Sequence, residues 1–397
     1  MRRLGLLPRI ILAIILGIII GKIAPDWSIR TLATFNGLFG NFLGFVIPLI
    51  IIGFIAPGIG QLGKGAGKLL GITTGLAYLS TILAGLLAFF AASFIYPKIL
   101  ESGGFFKEFE NPEEALLSAF FSVDLPPVMG VMTALLMAFL LGLGVTFVKG
   151  DSLSNVLVEF QVIIEKVISA VIIPLLPIHI LGIFANMTNG GQVEMILSVF
   201  AKVFAMIIIL HIVMLVFQYI SSGIVAGKNP TKMLKGMLPA YFTALGTQSS
   251  ASTIPVTLRA TKKVGVSGKI ADFTVPLLAT IHLSGSTITL VSCSMAIMFL
   301  TGDSLTLASY FPFILMLGVT MIAAPGVPGG AVMAALGLLE TMLGFDQTML
   351  TLMIALYLAQ DSFGTACNVT GDGAISVMVD KISGGRTGEE KIELKVS

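Results

Sequence analysis

The stretch Ala359–Gly373, AQDSFGTACNVTGDG, carries two carboxylates and directly follows an apolar run. Four polar residues within it recur at the spacing of one helix face. They are Asp361, Thr365, Asn368 and Asp372, at intervals of four, three and four residues. A carboxylate at membrane depth costs at least about 2.5–3.5 kcal/mol and by default marks a functional site. A solvated face of a soluble helix is the alternative, and the composition of the rest of the chain disfavours it.

The composition indicates a polytopic membrane protein. Of 397 residues, 56% are hydrophobic and only 11% are charged, against about 25% charged in soluble domains. A net charge of +2 gives no indication of a nucleic-acid partner. The two cysteines, Cys293 and Cys367, are too few for a disulfide framework. Because no small-residue cleavage site follows the first apolar segment, we expect a retained span with a cytoplasmic N-terminus.

Hydropathy predicts an all-α protein with eight transmembrane helices. The expected spans are Leu6–Ile23, a segment of Thr31–Leu62, a segment of Leu69–Pro97, Pro127–Val148, Leu157–Phe184, Ile196–Ala226, Phe273–Thr301 and the segment that holds Asp361 and Asp372. The seventh is interrupted by the polar sequence Thr280–Ser286. The basic residues of alternate loops place both termini inside, and an acidic loop, Glu101–Asp124, lies outside.

Two further segments are predicted to be re-entrant hairpins. Gly236–Leu258 lies between two basic, inside regions, so it must enter and return on one side; a single span with mis-assigned loops is the alternative. Ala324–Gly330, APGVPGG, holds two prolines and three glycines in the middle of an uncharged segment, which excludes a simple helix. Non-helical backbone at depth survives only where it is buried or lines a cavity, the arrangement of secondary transporters.

Four ordered blocks resemble one family. The blocks GTQSSASTIPVTL, PLLATIHLSGS, GVPGG and NVTGD are similar in order and spacing to those of the dicarboxylate/amino acid:cation symporters, the glutamate transporter family. The strong likeness covers about Lys235–Lys381. The resemblance implies a multi-pass protein of the plasma (inner) membrane, a homotrimer in which a transport domain moves as an elevator against a fixed scaffold. Residues 1–66 and 127–190 would form the scaffold, 67–98 and 191–383 the transport domain, and 384–397 a cytoplasmic tail.

The resemblance also assigns a substrate site. Asp361 would bind the substrate ammonium, with Thr365 and Asn368 beside it. Ser249 and Ser250 would hold the α-carboxylate at the tip of the inner hairpin. The outer hairpin tip would close over the substrate as the gate, with Val327 in contact; its residues are Pro325, Gly326, Val327, Pro328 and Gly329.

Two departures from the family pattern concern substrate charge. Members that carry acidic substrates place an arginine in the last span or in the inner hairpin, and this chain has Gly364 and Gln248 there. A second substrate carboxylate would then be buried without a partner, which is costly. We therefore expect a small neutral amino acid such as serine, threonine or alanine. A bulkier apolar substrate, for which Gly364 and Phe363 make room, stays open, as does a dicarboxylate or acidic amino acid such as glutamate or aspartate.

The cation sites depart as well. The family's Asn-Met-Asp-Gly-Thr reads His282–Ser286, HLSGS, here. Asn368 and Asp372 would keep one Na⁺ site, supplemented by the carbonyl near Leu278. Ser284 replaces the aspartate of a deeper Na⁺ site. A neutral hydroxyl is a poorer ligand for a hard cation than a carboxylate. An outer site between Thr280 and the carbonyls of Met321–Ala324 stays open.

His282 leaves the coupling ion open between Na⁺ and H⁺. Beside Asp372 it either carries a proton in place of Na⁺ or is a neutral, hydrogen-bonded histidine, because an unperturbed imidazole titrates near neutrality. In the first case, His282→Asn changes the pH dependence of transport. His179 and His211 lie on apolar faces without neighbouring acids and are expected to be structural.

Two other function classes fit less well. An intramembrane aspartyl protease needs a Gly-x-Gly-Asp run, whereas Val369-Thr370-Gly371 precedes Asp372, so no enzyme activity and no catalytic residue is expected. A dedicated ion channel does not need Asp361 placed for an ammonium. No organic cofactor is expected.

Overall fold

The computed structural model describes residues 6–63, 68–102, 116–148, 150–191, 193–303, 305–322, 324 and 328–384. Within these ranges every regular element is a helix. They are α1 (Leu6–Ile23), α2 (Asp26–Gly63), α3 (Lys68–Ile99), α4 (Val131–Phe147), α5 (Ser152–Val167), a π-helical turn (Ile168–Ile172), α6 (Ile173–Asn189), α7 (Val193–Ala226), α8 (Pro230–Thr247), α9 (Ser250–Lys263), α10 (Gly268–Ile281), α11 (Ser284–Thr301), α12 (Leu307–Ile322), α13 (Gly330–Leu343) and α14 (Gln347–Ile382). The expected all-α class is confirmed.

Several helices have the length and hydropathy of membrane spans. Five segments of the described chain are long and apolar enough to cross a bilayer: Asp26–Gly60, Lys68–Ile99, Ser152–Asn189, Leu197–Ala226 and Gly268–Thr301. Large apolar side chains are exposed along them, for example Ile209, Phe217 and Ile224 on α7. An outer surface of this kind suits lipid rather than water, as in a multi-pass membrane protein.

Helix pairs occupy both predicted hairpin segments. α8 and α9 are joined at Gln248 and Ser249, and α12 and α13 flank the APGVPGG stretch, of which Ala324 and 328–330 are described. Capping residues fix two of the starts that matter for the site. The Ser249 side chain accepts from Ser252 N at 3.2 Å at the start of α9, and Asp346 accepts from Met349 N at 2.8 Å at the start of α14.

The predicted break in the seventh span is narrow. α10 ends at Ile281 and α11 begins at Ser284, so only His282 and Leu283 are non-helical. The first N–H groups of α11 have no partner within their own helix. Asn368 of α14 supplies one, because its Oδ1 accepts from Gly285 N at 2.7 Å and from Ser286 N at 3.3 Å.

α14 is the central helix of the site. It packs against α7, α8, α9, α10 and α11, and from Gln360 to Gly373 every residue except Phe363 is buried. Gly285 permits the close crossing of α11 over α14, since a Cβ at that position would meet the Gly364 carbonyl and, at 2.6 Å, Cys367 Cβ. The carboxylate-bearing stretch is therefore enclosed by protein on most sides.

A second group of helices packs mainly among its own members. α1 packs against α6, and α2 packs against α4, α5 and α6. α2 and α4 also touch α13. The division into a scaffold and a transport domain stays a prediction.

Candidate functional site

The four polar residues of the opening stretch lie on one uninterrupted helix, α14, and all are buried. The exposed fractions are 4% for Asp361, 6% for Thr365, 2% for Asn368 and 1% for Asp372. Their contacts divide them into two centres, one around each carboxylate.

Asp361 contacts the segment that was predicted to form the outer hairpin tip. Its Oδ2 accepts a hydrogen bond from Gly329 N at 2.7 Å. Gly329 has φ 75°, a left-handed conformation that favours glycine. The predicted gate segment thus touches the predicted ammonium ligand, although Pro325, Gly326 and Val327 lie outside the described residues.

Tyr357 and Ser286 extend this first centre. Tyr357 stands one helical turn before Asp361, and its hydroxyl donates to Ser286 Oγ at 3.0 Å. Asn368 Nδ2 donates to the same Ser286 oxygen at 3.0 Å. Since Asn368 Oδ1 already accepts from Gly285 N and Ser286 N, the whole Asn368 amide is directed at the start of α11.

The inner hairpin tip is compact and polar. Gln248 ends α8 with φ 54°, and the tip turns there into Ser249. Ser249 and Ser250 are each 8% exposed, and Thr247 Oγ1 lies 3.0 Å from Thr253 Oγ1 across the tip. Hydroxyls and the first N–H groups of α9 are thereby collected at one point, a typical arrangement for holding a carboxylate.

Asp372 forms the second centre with the break between α10 and α11. Its Oδ1 lies 2.9 Å from His282 Nδ1. The other ring nitrogen, His282 Nε2, lies 3.0 Å from Ser80 Oγ of α3. Gln218 of α7 completes the cluster, donating from Nε2 to Ser80 Oγ at 2.9 Å and to Ser284 Oγ at 3.2 Å.

Comparison with known proteins assigns this arrangement to a family. The family model described as "Sodium:dicarboxylate symporter family" matches residues 6–382, nearly the whole chain. The chain belongs to the sodium:dicarboxylate symporter family. It is therefore a membrane transporter rather than an enzyme, of a family that couples amino-acid or dicarboxylate transport to Na⁺ or H⁺.

Relatives within the symporter family include amino-acid transporters. The serine/threonine transporter SstT of Streptococcus suis (strain 05ZYH33) is 26% identical over 347 residues, which cover 84% of this chain and 94% of that protein. SstT of Enterococcus faecalis (strain ATCC 700802 / V583) is 22% identical over 417 residues, covering 98% and 94%. Excitatory amino acid transporter 2 of Mus musculus is 27% identical over 269 residues, covering 66% of this chain and 46% of that protein.

The remaining predicted cation ligands make hydrogen bonds within or next to their own helices. The Leu278 carbonyl accepts from His282 N at 2.9 Å, as the last turn of α10 requires. The Thr280 side chain is exposed and donates to Leu277 O at 2.7 Å. The Ala324 N–H donates a hydrogen bond to the Met321 carbonyl oxygen at 3.4 Å. Whether these groups bind a cation stays a prediction.

Gly364 lies between the two centres, facing α11. A Cβ there would meet Gly285 C and Ser286 N at 3.5 Å, an ordinary contact distance. Phe363 points elsewhere, because its ring stacks edge-on against Phe204 of α7 with centroids 5.5 Å apart. The Phe363 ring thus packs against α7.

The other two histidines bridge helices. His179 Nε2 lies 3.3 Å from Thr351 Oγ1, and Nδ1 lies 3.1 Å from the Asn36 amide. His211 Nε2 lies 3.0 Å from Gly285 O and 3.3 Å from Thr289 Oγ1. Both contact neutral polar groups, as expected for histidines that stabilise packing.

Three contacts of the site were missed by the sequence reasoning: those of Ser80, Gln218 and Tyr357. Gln218 was detectable, since a glutamine within the apolar sequence Val216-Phe217-Gln218 is itself a signal in a membrane span. Serines and tyrosines are common in such helices, and the sequence gives no signal that distinguishes Ser80 or Tyr357.

Proposed function

We propose that this chain is a secondary active symporter that couples the uptake of a small neutral amino acid to Na⁺ and/or H⁺. One observation carries the substrate assignment. Asp361 is a buried carboxylate suited to an ammonium, whereas no lysine or arginine side chain is buried anywhere in the described residues. A zwitterion with a neutral side chain pairs its ammonium with Asp361 and brings no carboxylate beyond its own α-carboxylate.

An acidic substrate would bring a further carboxylate into the same protein interior. An ion without a partner costs several kcal/mol there, and every 1.4 kcal/mol corresponds to a tenfold loss of affinity. Aspartate or succinate should therefore bind at least about a hundredfold more weakly than serine, threonine or alanine. Two relatives, the SstT proteins of Streptococcus suis and Enterococcus faecalis, are serine/threonine transporters, which supports the same substrate class.

The substrate would be held between three groups of atoms. Asp361, with Thr365 and Asn368 nearby, would receive the ammonium. The hydroxyls and N–H groups at Ser249 and Ser250 would receive the α-carboxylate. Gly329 and the rest of the outer tip would cover the site, in keeping with the observed hydrogen bond from Gly329 N to Asp361.

Cation coupling would run through Asp372. It is a buried carboxylate whose charge a Na⁺ or a proton can neutralise, which makes its occupancy sensitive to an ion gradient. His282 is hydrogen-bonded to it. The coupling ion is proposed as Na⁺ and/or H⁺.

The transport cycle would follow an elevator mechanism within a homotrimer of the plasma (inner) membrane. We propose eight spans and two re-entrant hairpins, with α1, α2 and α4–α6 as the scaffold and α3 and α7–α14 as the moving domain. The packing of α1 with α6 and of α14 with α7–α11 supports this division. The termini would be cytoplasmic.

Thermal stabilisation of the purified protein tests the substrate class. Amino acids and dicarboxylates are added at saturating concentration, with sodium or choline, at two pH values; a ligand at a hundred times its Kd stabilises the folded state by about 2.7 kcal/mol. Serine, threonine or alanine should raise the melting temperature and aspartate should not. Stabilisation by aspartate or succinate alone would contradict the proposal and favour an acidic substrate.

A further inference from the structure

The second centre is a closed polar cluster where α3, α7 and α14 meet the break between α10 and α11. Ser80, Gln218, His282, Ser284 and Asp372 contribute to it, and each is 3% exposed or less except Ser80, at 8%. Gln218 occupies the middle. Its Nε2 lies within 3.4 Å of Ser80 Oγ, Ser284 Oγ and His282 Nε2.

The N–H groups of the Gln218 amide point at two of the hydroxyl oxygens in this cluster. A hard cation binds oxygen atoms through their lone pairs and is favoured by carboxylates. Ser80 Oγ and Ser284 Oγ are neutral, and each already accepts an N–H from the Gln218 amide. A Na⁺ placed between these hydroxyls would meet the positive ends of those N–H bonds and no carboxylate other than Asp372, whose Oδ1 is bonded to His282.

The backbone makes room for the glutamine. Gly371 lies directly opposite, and a Cβ there would stand 2.6 Å from Gln218 Oε1 and 2.8 Å from His282 Cε1. The Gln218 amide therefore packs against the Cα of Gly371 in α14. A side chain at position 371 would occupy the space that the amide fills.

We propose that Gln218 permanently fills the deeper cation position of this symporter and so determines that no Na⁺ binds between Ser80 and Ser284. The amide N–H groups take the place of the ion on the same oxygens. The inference deepens the proposed cation-coupled transport and rests on it, because it sets how many ions can accompany the substrate.

Introducing a carboxylate with and without the glutamine tests this. The variants are Ser284→Asp, Ser284→Asp/Gln218→Ala and the control Ser284→Asp/Gln360→Ala, in which another buried glutamine, 1% exposed and on α14, is removed. Melting temperature is measured against NaCl at constant ionic strength, with choline chloride as the replacement and no amino acid present. The readout is the Na⁺ concentration that gives half of the full shift.

Ser284→Asp/Gln218→Ala should respond to at least about tenfold less Na⁺ than the natural protein, because it gains both a carboxylate and space. Ser284→Asp alone and the Gln360 control should not. An equal gain without removal of Gln218, or no gain in any variant, overturns the proposal. Because amino acids are absent, a failed substrate assignment leaves this result unaffected, and a failed Na⁺ result leaves the amino-acid panel unaffected.

A second measurement applies if the double variant does not fold. Ser80→Ala and Ser284→Ala are made in the natural background, and the same Na⁺ titration is repeated. Hydroxyls that hold no ion can be removed without changing the Na⁺ concentration at half shift, which is the expected result. A rise of about tenfold or more in either variant would show that the hydroxyl is a cation ligand and would overturn the proposal.

Discussion

Replacing Gly371 with alanine should destabilise the protein through two neighbouring side chains. The added methyl would stand 2.6 Å from Gln218 Oε1, 3.0 Å from Gln218 Nε2 and 2.8 Å from His282 Cε1. Both side chains are restrained, since Gln218 is bonded to Ser80 and Ser284 while His282 lies between Ser80 and Asp372. Neither can move without giving up hydrogen bonds.

The size of the effect follows from these contacts. Displacing Gln218 loses two hydrogen bonds of about 0.5–1.5 kcal/mol each, and crowding against His282 adds about 1–3 kcal/mol. Replacing a helical glycine with alanine returns about 1 kcal/mol. We expect a net loss of about 3 kcal/mol in the free energy of unfolding, taking the middle of these ranges.

Unfolding of the purified protein in lipid bicelles by titration with denaturing detergent measures this loss. Gly75→Ala is the matched control, because this α3 glycine has nothing within 4 Å of an added Cβ; it should be neutral or stabilising by up to about 1 kcal/mol. Gly371→Ala/Gln218→Ala should be more stable than the two separate losses predict, with a coupling of about 1–3 kcal/mol. If Gly371→Ala is as stable as the natural protein, or if the losses in the double variant are additive, the methyl at position 371 does not clash with Gln218.

Three further predictions concern charge. Asp361→Asn should lower affinity for a neutral amino acid by at least about a hundredfold, whereas Asp380→Asn, on the same helix outside the site, should not; equal losses in a binding titration would argue against an ammonium at Asp361. His282→Asn removes the group bonded to Asp372 and should change the Na⁺ concentration required for uptake by about tenfold or more; an unchanged requirement would separate His282 from coupling. Lys262→Ala removes a half-exposed ion pair with Asp272, 2.6 Å long, and should cost no more than about 1 kcal/mol, measured as unfolding at low and high salt.

Features set by local sequence were predictable. The shared face of Asp361, Thr365, Asn368 and Asp372 follows from helical spacing, and the structure has all four on α14. The interruption of the seventh span follows from a run of polar residues in an apolar segment. The observed break is shorter than predicted, two residues rather than seven. Helix propensity does not locate a break whose position is set by tertiary contacts.

Features set by distant contacts were not predictable from one sequence. Ser80 lies 202 residues from His282, and Gln218 lies 138 residues from Ser80. Periodicity arranges residues within a helix and carries no information about which side chains of separate helices meet. The family resemblance placed Asn368 beside the substrate and a cation, yet gave no sign that its oxygen would serve the α11 N–H groups.

The Asn368 contact with α11 links ligand occupancy to helix geometry. An amide oxygen has two lone pairs, and both are engaged by the Gly285 and Ser286 N–H groups. A substrate or ion that binds this oxygen must compete with the N–H groups at the beginning of α11. A stronger bond to the ligand weakens the bonds to these N–H groups, and the reverse also holds. By thermodynamic reciprocity, a shift of α11 changes ligand affinity by the same factor by which ligand binding changes the equilibrium of that shift. If Asn368 binds a ligand as proposed, the break between α10 and α11 would respond to the occupancy of that site through this one amide.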